Sequence, residues 1–188
     1  EDAKIKKAVK KLFPKLEIID RAKKLSTDRI ALTEVVKHVA AEIHTKDYKP
    51  DIVLQVAPTC PYVKKKTIES IVKKLKDNKS DCVVTLKRIE HEHPYRAKEL
   101  NKKTKFFKSF IKNMNVEKFI SRQDLPELYC TSGAIYGRTY ELLQKFNNND
   151  FCLGKNPVGV VVDDVEATNI DRPIDFEFAE FLGKKKKK

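Results

Sequence analysis

Apolar residues recur every three or four positions in several segments of the chain, and lysine or glutamate fills most of the positions between them. This period places the apolar side chains on one face of a helix. Pro14 ends the first such segment because proline cannot continue a helix, Thr27 or Asp28 could cap the second, and Asn78–Ser80 closes the third. The predicted helices span residues 4–13, 30–43, 67–75, 139–146 and 175–182.

Short apolar runs between these helices predict strands. The run Ile52–Val56 is too continuously apolar for a half-exposed antiparallel strand and favours a parallel strand that is covered on both faces. Pro58 and Pro61 forbid further pairing, so Thr59 and Cys60 are expected just beyond the carboxyl end of this strand, where ligands bind in open α/β sheets. The predicted strands span residues 16–19, 52–56, 82–86, 133–136 and 158–162.

The alternation of helices and strands predicts an α/β fold, with a mostly parallel mixed sheet flanked by helices. A polar excursion over residues 88–120 interrupts this pattern, and its apolar content, including Phe106, Phe107 and the pair Phe119–Ile120, suits an arm or a dimer contact. A chain of 188 residues needs no more than one domain, which we assign to residues 1–183. Residues 184–188 form a basic tail.

Composition narrows the class of protein. Hydrophobic residues make up 40% and charged residues 36% of the chain, which is typical of a globular protein. No apolar run approaches the roughly 20 residues that span a membrane, and no secretory signal is visible, so we expect a cytoplasmic protein without a membrane partner. The four cysteines form no CxxC pair, which favours free thiols over disulfides or a zinc site.

The net charge of +13 points to an anionic partner, but its distribution is not typical of nucleic-acid binding. Lys184–Lys188 carry five of these charges, and the others are dispersed. A dispersed excess suits a nucleotide or an acidic sugar as well as a polyanion. A basic nucleic-acid module stays as an alternative, although the aromatic residues are not interleaved with the lysines in any recognition motif.

Two groups of residues could bind a metal ion. His91 and His93 would face the same side of a strand, but no further ligands are obvious, and a polar turn that ends at Pro94 explains them equally well. Four aspartates near the last predicted strand offer the oxygen ligands that Mg²⁺ prefers. Asp171 is the strongest candidate among them, because Asp175 is also explained as a first-turn helix residue. The other two are Asp163 and Asp164.

Arginines in loops are candidate anion ligands, because a planar guanidinium can grip a carboxylate or phosphate with two parallel hydrogen bonds. Arg21, Arg96 and Arg122 are of this kind. From the residues alone, the chain is therefore a doubly wound α/β domain that binds a phosphorylated or carboxylated small molecule.

Six short motifs in collinear order resemble those of the acylneuraminate cytidylyltransferases, the CMP-sialic acid synthetase family. Two of the six are the segments Arg122–Pro126 and Gly133–Tyr136. The other four stretches resemble the family's R-x-x-x-L-A-x-D loop, its P-T-S-P turn, its H-P-basic segment and its D-I-D-x-x-x-D-F ending. In this sequence they are Arg21–Asp28, Pro58–Pro61, His93–Arg96 and Asn169–Phe176.

The resemblance implies a Rossmann-like nucleotidyltransferase fold and a homodimer formed through residues 88–120. It implies that the anomeric hydroxyl of a nonulosonic acid, an acidic keto-sugar, attacks the α-phosphate of CTP with Mg²⁺ assistance and releases pyrophosphate. Asp171 would hold the metal together with Asn169, and Asp171 and Arg122 would be the catalytic pair. The substrate-binding residues would be Arg21, Thr59, Arg96, Arg122, Gln123 and Tyr136.

The sequence also departs from the family pattern. Family members begin with a strand and a glycine-rich loop that binds the triphosphate, whereas the first of only five glycines here is Gly133. We therefore expect an N-terminally incomplete domain, and a non-catalytic sugar- or nucleotide-binding subunit stays as an alternative. Ala57, Cys130 and Asn169 replace a sugar-contacting glutamine, an arginine and the first aspartate of D-I-D, which bears on the identity of the sugar.

Overall fold

The computed structural model describes residues 2–27, 29–45, 47–77, 80–112, 116–119, 121–147 and 151–185. Its helices are α1 (Ala3–Leu12), α2 (Leu32–Ile43), α3 (Lys65–Lys76), α4 (Tyr140–Gln144) and α5 (Pro173–Lys185). Its strands are β1 (Ile52–Val56), β2 (Cys82–Arg88), β3 (Lys98–Leu100), β4 (Phe107–Ser109), β5 (Tyr129–Thr139) and β6 (Val158–Val161). Within these residues, no helix has both the length and the apolar character that crossing a membrane requires.

Four strands form one sheet in the order β1-β5-β2-β6, and β3 and β4 pair separately as an antiparallel hairpin. β1 runs antiparallel to β5, with Ile52 opposite Thr139. β5 is also antiparallel to β2, because Thr139 N–H donates to Asp81 O and Ile89 N–H to Leu128 O, both at 2.9 Å. β6 runs parallel to β2, because the Ser80 hydroxyl donates to Asn156 O before these strands and Val162 N–H donates to Leu86 O, both contacts following the same chain direction. The predicted α/β class with a mixed sheet flanked by helices is therefore confirmed, but the sheet is not mostly parallel, because β5 pairs antiparallel with both of its neighbours.

The structure corrects the prediction for β1. This strand was expected to be parallel and covered on both faces, but it pairs antiparallel with β5 and most of its residues are only half-buried. Its apolar composition does not specify a pairing direction, because the direction depends on which distant strand lies beside it. Within the described residues, β1 lies at one end of the strand order.

Two further local predictions are wrong. Residues 16–19 form no strand, because Leu16 N–H bonds locally to Phe13 O at 3.0 Å and no described strand pairs with this segment. The second helix is not capped by Thr27, since its N-cap is Ala31, which makes no side-chain capping bond. The alternative cap Asp28, residues 78–79 of the predicted helix stop, Ile120 of the excursion, and residues 148–150 and 186–188 lie outside the described residues.

The chain divides into two compact units by the clustering of its contacts. The first unit comprises Glu1–Val56, Ile68–Val84 and Ile135–Val158, and the second comprises Ala57–Thr67, Thr85–Ala134 and Gly159–Lys188. The assignment of one domain to residues 1–183 stays a prediction.

All four cysteines are free, as expected. Burial raises the pKa of the Cys82 thiol to about 11.

Among its described residues, the first unit has an apolar core and one buried cation. Ala40, Leu143, Phe146 and Cys152 form a buried cluster. Arg138 is also buried, and it donates to the carbonyl oxygens of Cys152 at 2.8 Å and Phe151 at 3.2 Å and to Gln55 Oε1 at 3.2 Å. These acceptors satisfy the guanidinium, which would otherwise be costly to bury.

Helix α4 depends on a side-chain cap. The Thr139 hydroxyl oxygen accepts a hydrogen bond from Leu142 N–H at 3.2 Å and so satisfies one of the free amides at the start of the helix. Thr139→Ala should lower the free energy of unfolding by about 1 kcal/mol, whereas Thr139→Ser, which keeps the acceptor, should lower it by much less. Urea denaturation of the three proteins checks this. Equal loss in both variants would contradict the capping role.

In the second unit, hydrogen bonds and ion pairs hold residues 57–67 against α5 and the segment that leads into it. Lys64 N–H donates to Glu166 Oε1 at 3.0 Å, and the Lys64 ammonium pairs with Asp163 and with Glu166 Oε2 at 3.4 Å. The hydrogen bond to Asp163 raises the pKa of Lys64. The Tyr62 hydroxyl donates to Ala179 O on α5. These contacts hold the proline turn after β1 in place for the site described next.

Candidate active site

The turn Pro58–Pro61 lies directly against Asn169–Asp171. Ile170 N–H donates to Thr59 O at 3.0 Å, and the Cys60 thiol donates to Asn169 Oδ1 at 3.6 Å. Cys60 is buried, and its pKa is raised chiefly by that burial, so it stays a neutral donor. Thr59 and Cys60 thus lie just beyond the end of β1, as the sequence predicted, and the structure brings them to the proposed metal residues.

The aspartates before and within α5 have different environments. Asp175 Oδ2 accepts hydrogen bonds from the N–H groups of Asp171 at 3.2 Å and Arg172 at 2.8 Å, and the Arg172 guanidinium pairs with Asp175 at 3.0 Å. The hydrogen bond from the Arg172 side chain is the main reason that the pKa of Asp175 is lowered. Asp175 is therefore engaged in fixing the start of α5. Asp171 is exposed, and its Oδ2 accepts from Asn169 Nδ2 at 2.7 Å.

A cavity of about 1000 Å³ lies over these residues, entirely within the second unit. Residues 87–92 line one part of it and residues 130–132 another. Asp164, residues 167–169, Asp171, Arg172 and the first turns of α5 complete the lining. The lining has five carboxylates, the Asn169 amide and the three cations Lys87, Arg88 and Arg172. Because the carboxylates outnumber the cations, an anionic ligand would need a divalent cation beside it.

Arg122 reaches a residue of this lining through an ion pair. Its Nη2 lies 3.1 Å from Glu90 Oε2, and Arg88 Nε lies 3.5 Å from Glu90 Oε1. The Glu90 carboxylate thus bridges two arginines, one oxygen to each. The sequence singled out Arg122 but missed Arg88 and gave Glu90 no role. The available signal was weak, since Arg88 and Glu90 stand two residues apart at the end of a strand.

The structure does not bring all the predicted substrate residues together. Arg96 ends a short 3₁₀ turn, Pro94–Arg96, and Gln123 lies in another, Arg122–Asp124; neither lines the cavity. Arg21 and Tyr136 belong to the first unit, where the Arg138 guanidinium lies 4.9 Å from the centre of the Tyr136 ring. The binding roles of these four residues stay predictions.

The two histidines have separate environments. His93 is buried, with Nδ1 accepting from Tyr95 N–H at 3.2 Å and Nε2 lying 3.1 Å from Pro126 O. Both ring nitrogens are used, so His93 stabilises the turn Pro94–Arg96, which it caps. His91 is exposed and lines the cavity. Within the part of the chain that the structure describes, no group of three or more His, Cys, Asp or Glu could hold a metal ion.

Mg²⁺ needs no such group, because it commonly binds one or two protein oxygens and completes its shell with water and substrate phosphates. Asp171 offers an exposed carboxylate. The Asn169 amide directs its nitrogen to Asp171 and its oxygen to Cys60, so it must rotate by half a turn to present oxygen beside Asp171. The Cys60 sulfur can then accept from the amide nitrogen, since a thiol is both a weak donor and a weak acceptor. With the amide rotated in this way, Asn169 and Asp171 would present two oxygens, which is the number and kind of protein ligand that Mg²⁺ commonly takes.

The order of elements and the mixed sheet define a nucleotidyltransferase-like α/β fold. Solved structures of other proteins share this fold, among them the following two. CMP:2-keto-3-deoxy-manno-octonic acid synthetase complexed with CTP superposes with a TM-score of 0.66 at 17% identity, over 99% of this chain and 79% of that one. The 4-diphosphocytidyl-2C-methyl-D-erythritol synthase of Anaerococcus prevotii DSM 20548 gives 0.58 at 12% identity, over 96% and 78%.

The sequence itself identifies the family. The family model described as cytidylyltransferase matches residues 1–186, which is almost the whole chain. The chain therefore belongs to the cytidylyltransferase family. A search of curated proteins gave no significant match. The resemblance found in the sequence motifs is confirmed at the level of this family, and the acylneuraminate subtype is a finer question of substrate.

Proposed function

We propose that this protein transfers CMP from CTP to an acidic keto-sugar and releases pyrophosphate. The observation that carries the proposal is the cavity of the second unit, which combines the oxygens of Asn169 and Asp171 with the cations Arg88 and Arg172. Family membership supplies the nucleotide, because cytidylyltransferases use CTP. The arginines account for an acceptor that carries a carboxylate.

The residues of the site divide the work between the two substrates. In this proposal Arg122 holds the sugar carboxylate through its planar guanidinium and so fixes the position of the anomeric hydroxyl. Asp171 and the rotated Asn169 amide hold Mg²⁺, which when bound neutralises charge on the phosphates of CTP. Bringing the hydroxyl and the α-phosphate into line then needs orientation more than covalent help from the protein. The new bond joins the sugar oxygen to the α-phosphorus, and pyrophosphate leaves.

The acceptor we propose is a nonulosonic acid of the sialic type. The structural similarity to the octonic acid synthetase suggests an eight-carbon acid as the other member of the same chemical class. Both sugars carry a carboxylate beside the anomeric carbon, which is the group that an arginine would recognise. Ala57 and Cys130 remove polar side chains relative to the acylneuraminate pattern, so the eight-carbon acid is tested beside the sialic acid.

Pyrophosphate release tests the proposal. The full chain is incubated with CTP, Mg²⁺ and either N-acetylneuraminic acid or 2-keto-3-deoxy-manno-octonic acid, with neutral N-acetylmannosamine as the control sugar. We expect release with at least one acid and none with the neutral sugar. Isothermal titration with CTP and Mg²⁺ should give heat of binding. Binding of an acid without heat from CTP and without release would instead identify a non-catalytic sugar-binding subunit.

The proposed assembly is a homodimer formed through residues 88–120. The β3–β4 hairpin exposes Leu100, Phe106, Phe107 and Phe110, with Phe106 79% exposed. Such a concentration of exposed apolar side chains on one small hairpin is typical of a protein interface. The partner that suits it is a second copy of the same hairpin.

Replacing Phe106 and Phe107 together by lysine should convert the dimer into a monomer, because four like charges would face each other across the interface. Size-exclusion chromatography with light scattering measures the mass directly. Phe151→Lys is the matched control, since Phe151 is equally exposed at 79% but lies outside the hairpin. A monomeric wild-type protein, or a dimer that survives the double substitution, would contradict the assembly.

A further inference from the structure

Glu90 has the arrangement of a bound carboxylate ligand. It lines the cavity, and its two oxygens pair separately with Arg88 at 3.5 Å and Arg122 at 3.1 Å. We propose that Glu90 is an internal competitor, which occupies this arginine pair and is displaced when the carboxylate of the sugar binds. Glu90 would thereby set the affinity for acidic sugars. The inference rests on the proposed function, in which Arg122 binds the sugar carboxylate.

The main chain on both sides of the ion pair is fixed. Ile89 N–H donates to Leu128 O at 2.9 Å, immediately before Glu90. On the other side, Ser121 and Asp124 form a capping box around Arg122, with Ser121 N–H donating to Asp124 Oδ2 at 3.0 Å. Because both backbones are held, Glu90 and the arginines can exchange partners by side-chain rotation alone.

The ion pairs are exposed enough to be exchanged. The side chains of Arg88 and Arg122 are 56% and 59% exposed, and that of Glu90 is 35% exposed. Water screens such pairs, so a ligand carboxylate can replace Glu90 at modest cost. A ligand without a negative charge gains nothing from the arginines and would leave the Glu90 pairs intact. Glu90 therefore weakens, without abolishing, the binding of acids and leaves the binding of neutral sugars unchanged.

Glu90→Gln removes the competing charge and keeps the size of the side chain. Titration calorimetry of the full chain with N-acetylneuraminic acid and with 2-keto-3-deoxy-manno-octonic acid should show the dissociation constant of the bound acid falling by about two- to tenfold. The dissociation constant for the methyl ester of the same acid should not fall. Arg122→Ala should weaken the binding of the acid in parallel experiments.

Glu127→Gln is the matched control. Glu127 lies 3.9 Å from Arg88 and carries the same charge, but it does not line the cavity. Its removal should leave the dissociation constant unchanged. Thermal unfolding shows whether each variant is folded, and Glu90→Ser provides a second substitution if Glu90→Gln does not fold.

The outcomes separate the inference from the proposed function. If the wild-type chain binds an acid and Arg122→Ala weakens it, but Glu90→Gln binds with wild-type affinity, the competitor role is overturned while the function stands. An equal gain in Glu127→Gln, or an equal gain for the ester, would show a general effect of charge and also overturn it. If neither the wild-type chain nor any variant binds either acid, both the competitor role of Glu90 and the proposed acidic sugar substrate are overturned. The titration with CTP and Mg²⁺ tests the proposed use of CTP separately.

Discussion

Arg122→Ala should lower kcat/KM for the acidic sugar by about 100-fold and leave the folded structure intact. Arg122 is exposed on a short turn, and its neighbours Ser121 and Asp124 fix that turn through their own hydrogen bonds. Removing the guanidinium therefore changes the site without opening a cavity in a core. The loss should appear mainly in KM for the sugar, with KM for CTP little changed.

Steady-state kinetics with each substrate varied in turn measure this split. Arg122→Lys keeps the charge but loses the planar pair of donors, so we expect it to recover only part of the activity. Circular dichroism and thermal unfolding verify the fold of both variants. Turnover of Arg122→Ala near the wild-type value would remove this residue from the sugar site.

Asp171→Asn should lower kcat at saturating Mg²⁺ by about 100- to 1000-fold, a loss of about 3 to 4 kcal/mol in transition-state stabilisation. The substitution is nearly isosteric and keeps an oxygen that can accept from Asn169 Nδ2, so the local structure should survive. Only the negative charge is lost. The concentration of Mg²⁺ that gives half-maximal activity should rise as well.

Adding a negative charge at Asn169 should have the opposite effect on the affinity for Mg²⁺. Asn169→Asp adds a second carboxylate beside Asp171, which should tighten Mg²⁺ binding and enlarge the increase in Tm that Mg²⁺ produces. Without Mg²⁺ the two carboxylates repel, so the metal-free Tm should fall. Glu177→Gln, an exposed acid on α5, is the control and should behave as the wild type in these experiments. A Mg²⁺ response that is unchanged in both site variants would contradict the assignment.

The sequence predicted the elements whose signals are local. The helices α1, α2 and α3 follow from their apolar period, and the turn after β1 follows from Pro58 and Pro61, which fix the backbone whatever the surroundings. The pairing of β1 with β5 could not be predicted in this way. β5 was expected only over Gly133–Tyr136 but runs over Tyr129–Thr139, because its length depends on partners on both sides.

The residues of the site also divide into those with a local signal in the sequence and those whose role depends on a distant partner. Asn169 and Asp171 were found from their motif and lie in the cavity, close to Thr59 and Cys60. Glu90 was not recognised, because its character depends on Arg122, which is far along the chain and reaches it only in the folded protein. Arg172 and Asp175 illustrate the converse. Their ion pair joins residues only three apart at the start of α5, so it forms locally and explains why Asp175 is not the exposed carboxylate.

The most direct test of the central claim is to observe the product. Phosphorus NMR of the full chain with CTP, Mg²⁺ and an acidic keto-sugar should show the triphosphate signals replaced by those of pyrophosphate and a single phosphodiester, and mass spectrometry should give the mass of the CMP-sugar. That result would establish the transfer of CMP to the sugar. CTP that remains intact with both acids, under conditions where the chain is folded and Mg²⁺ is saturating, would contradict it.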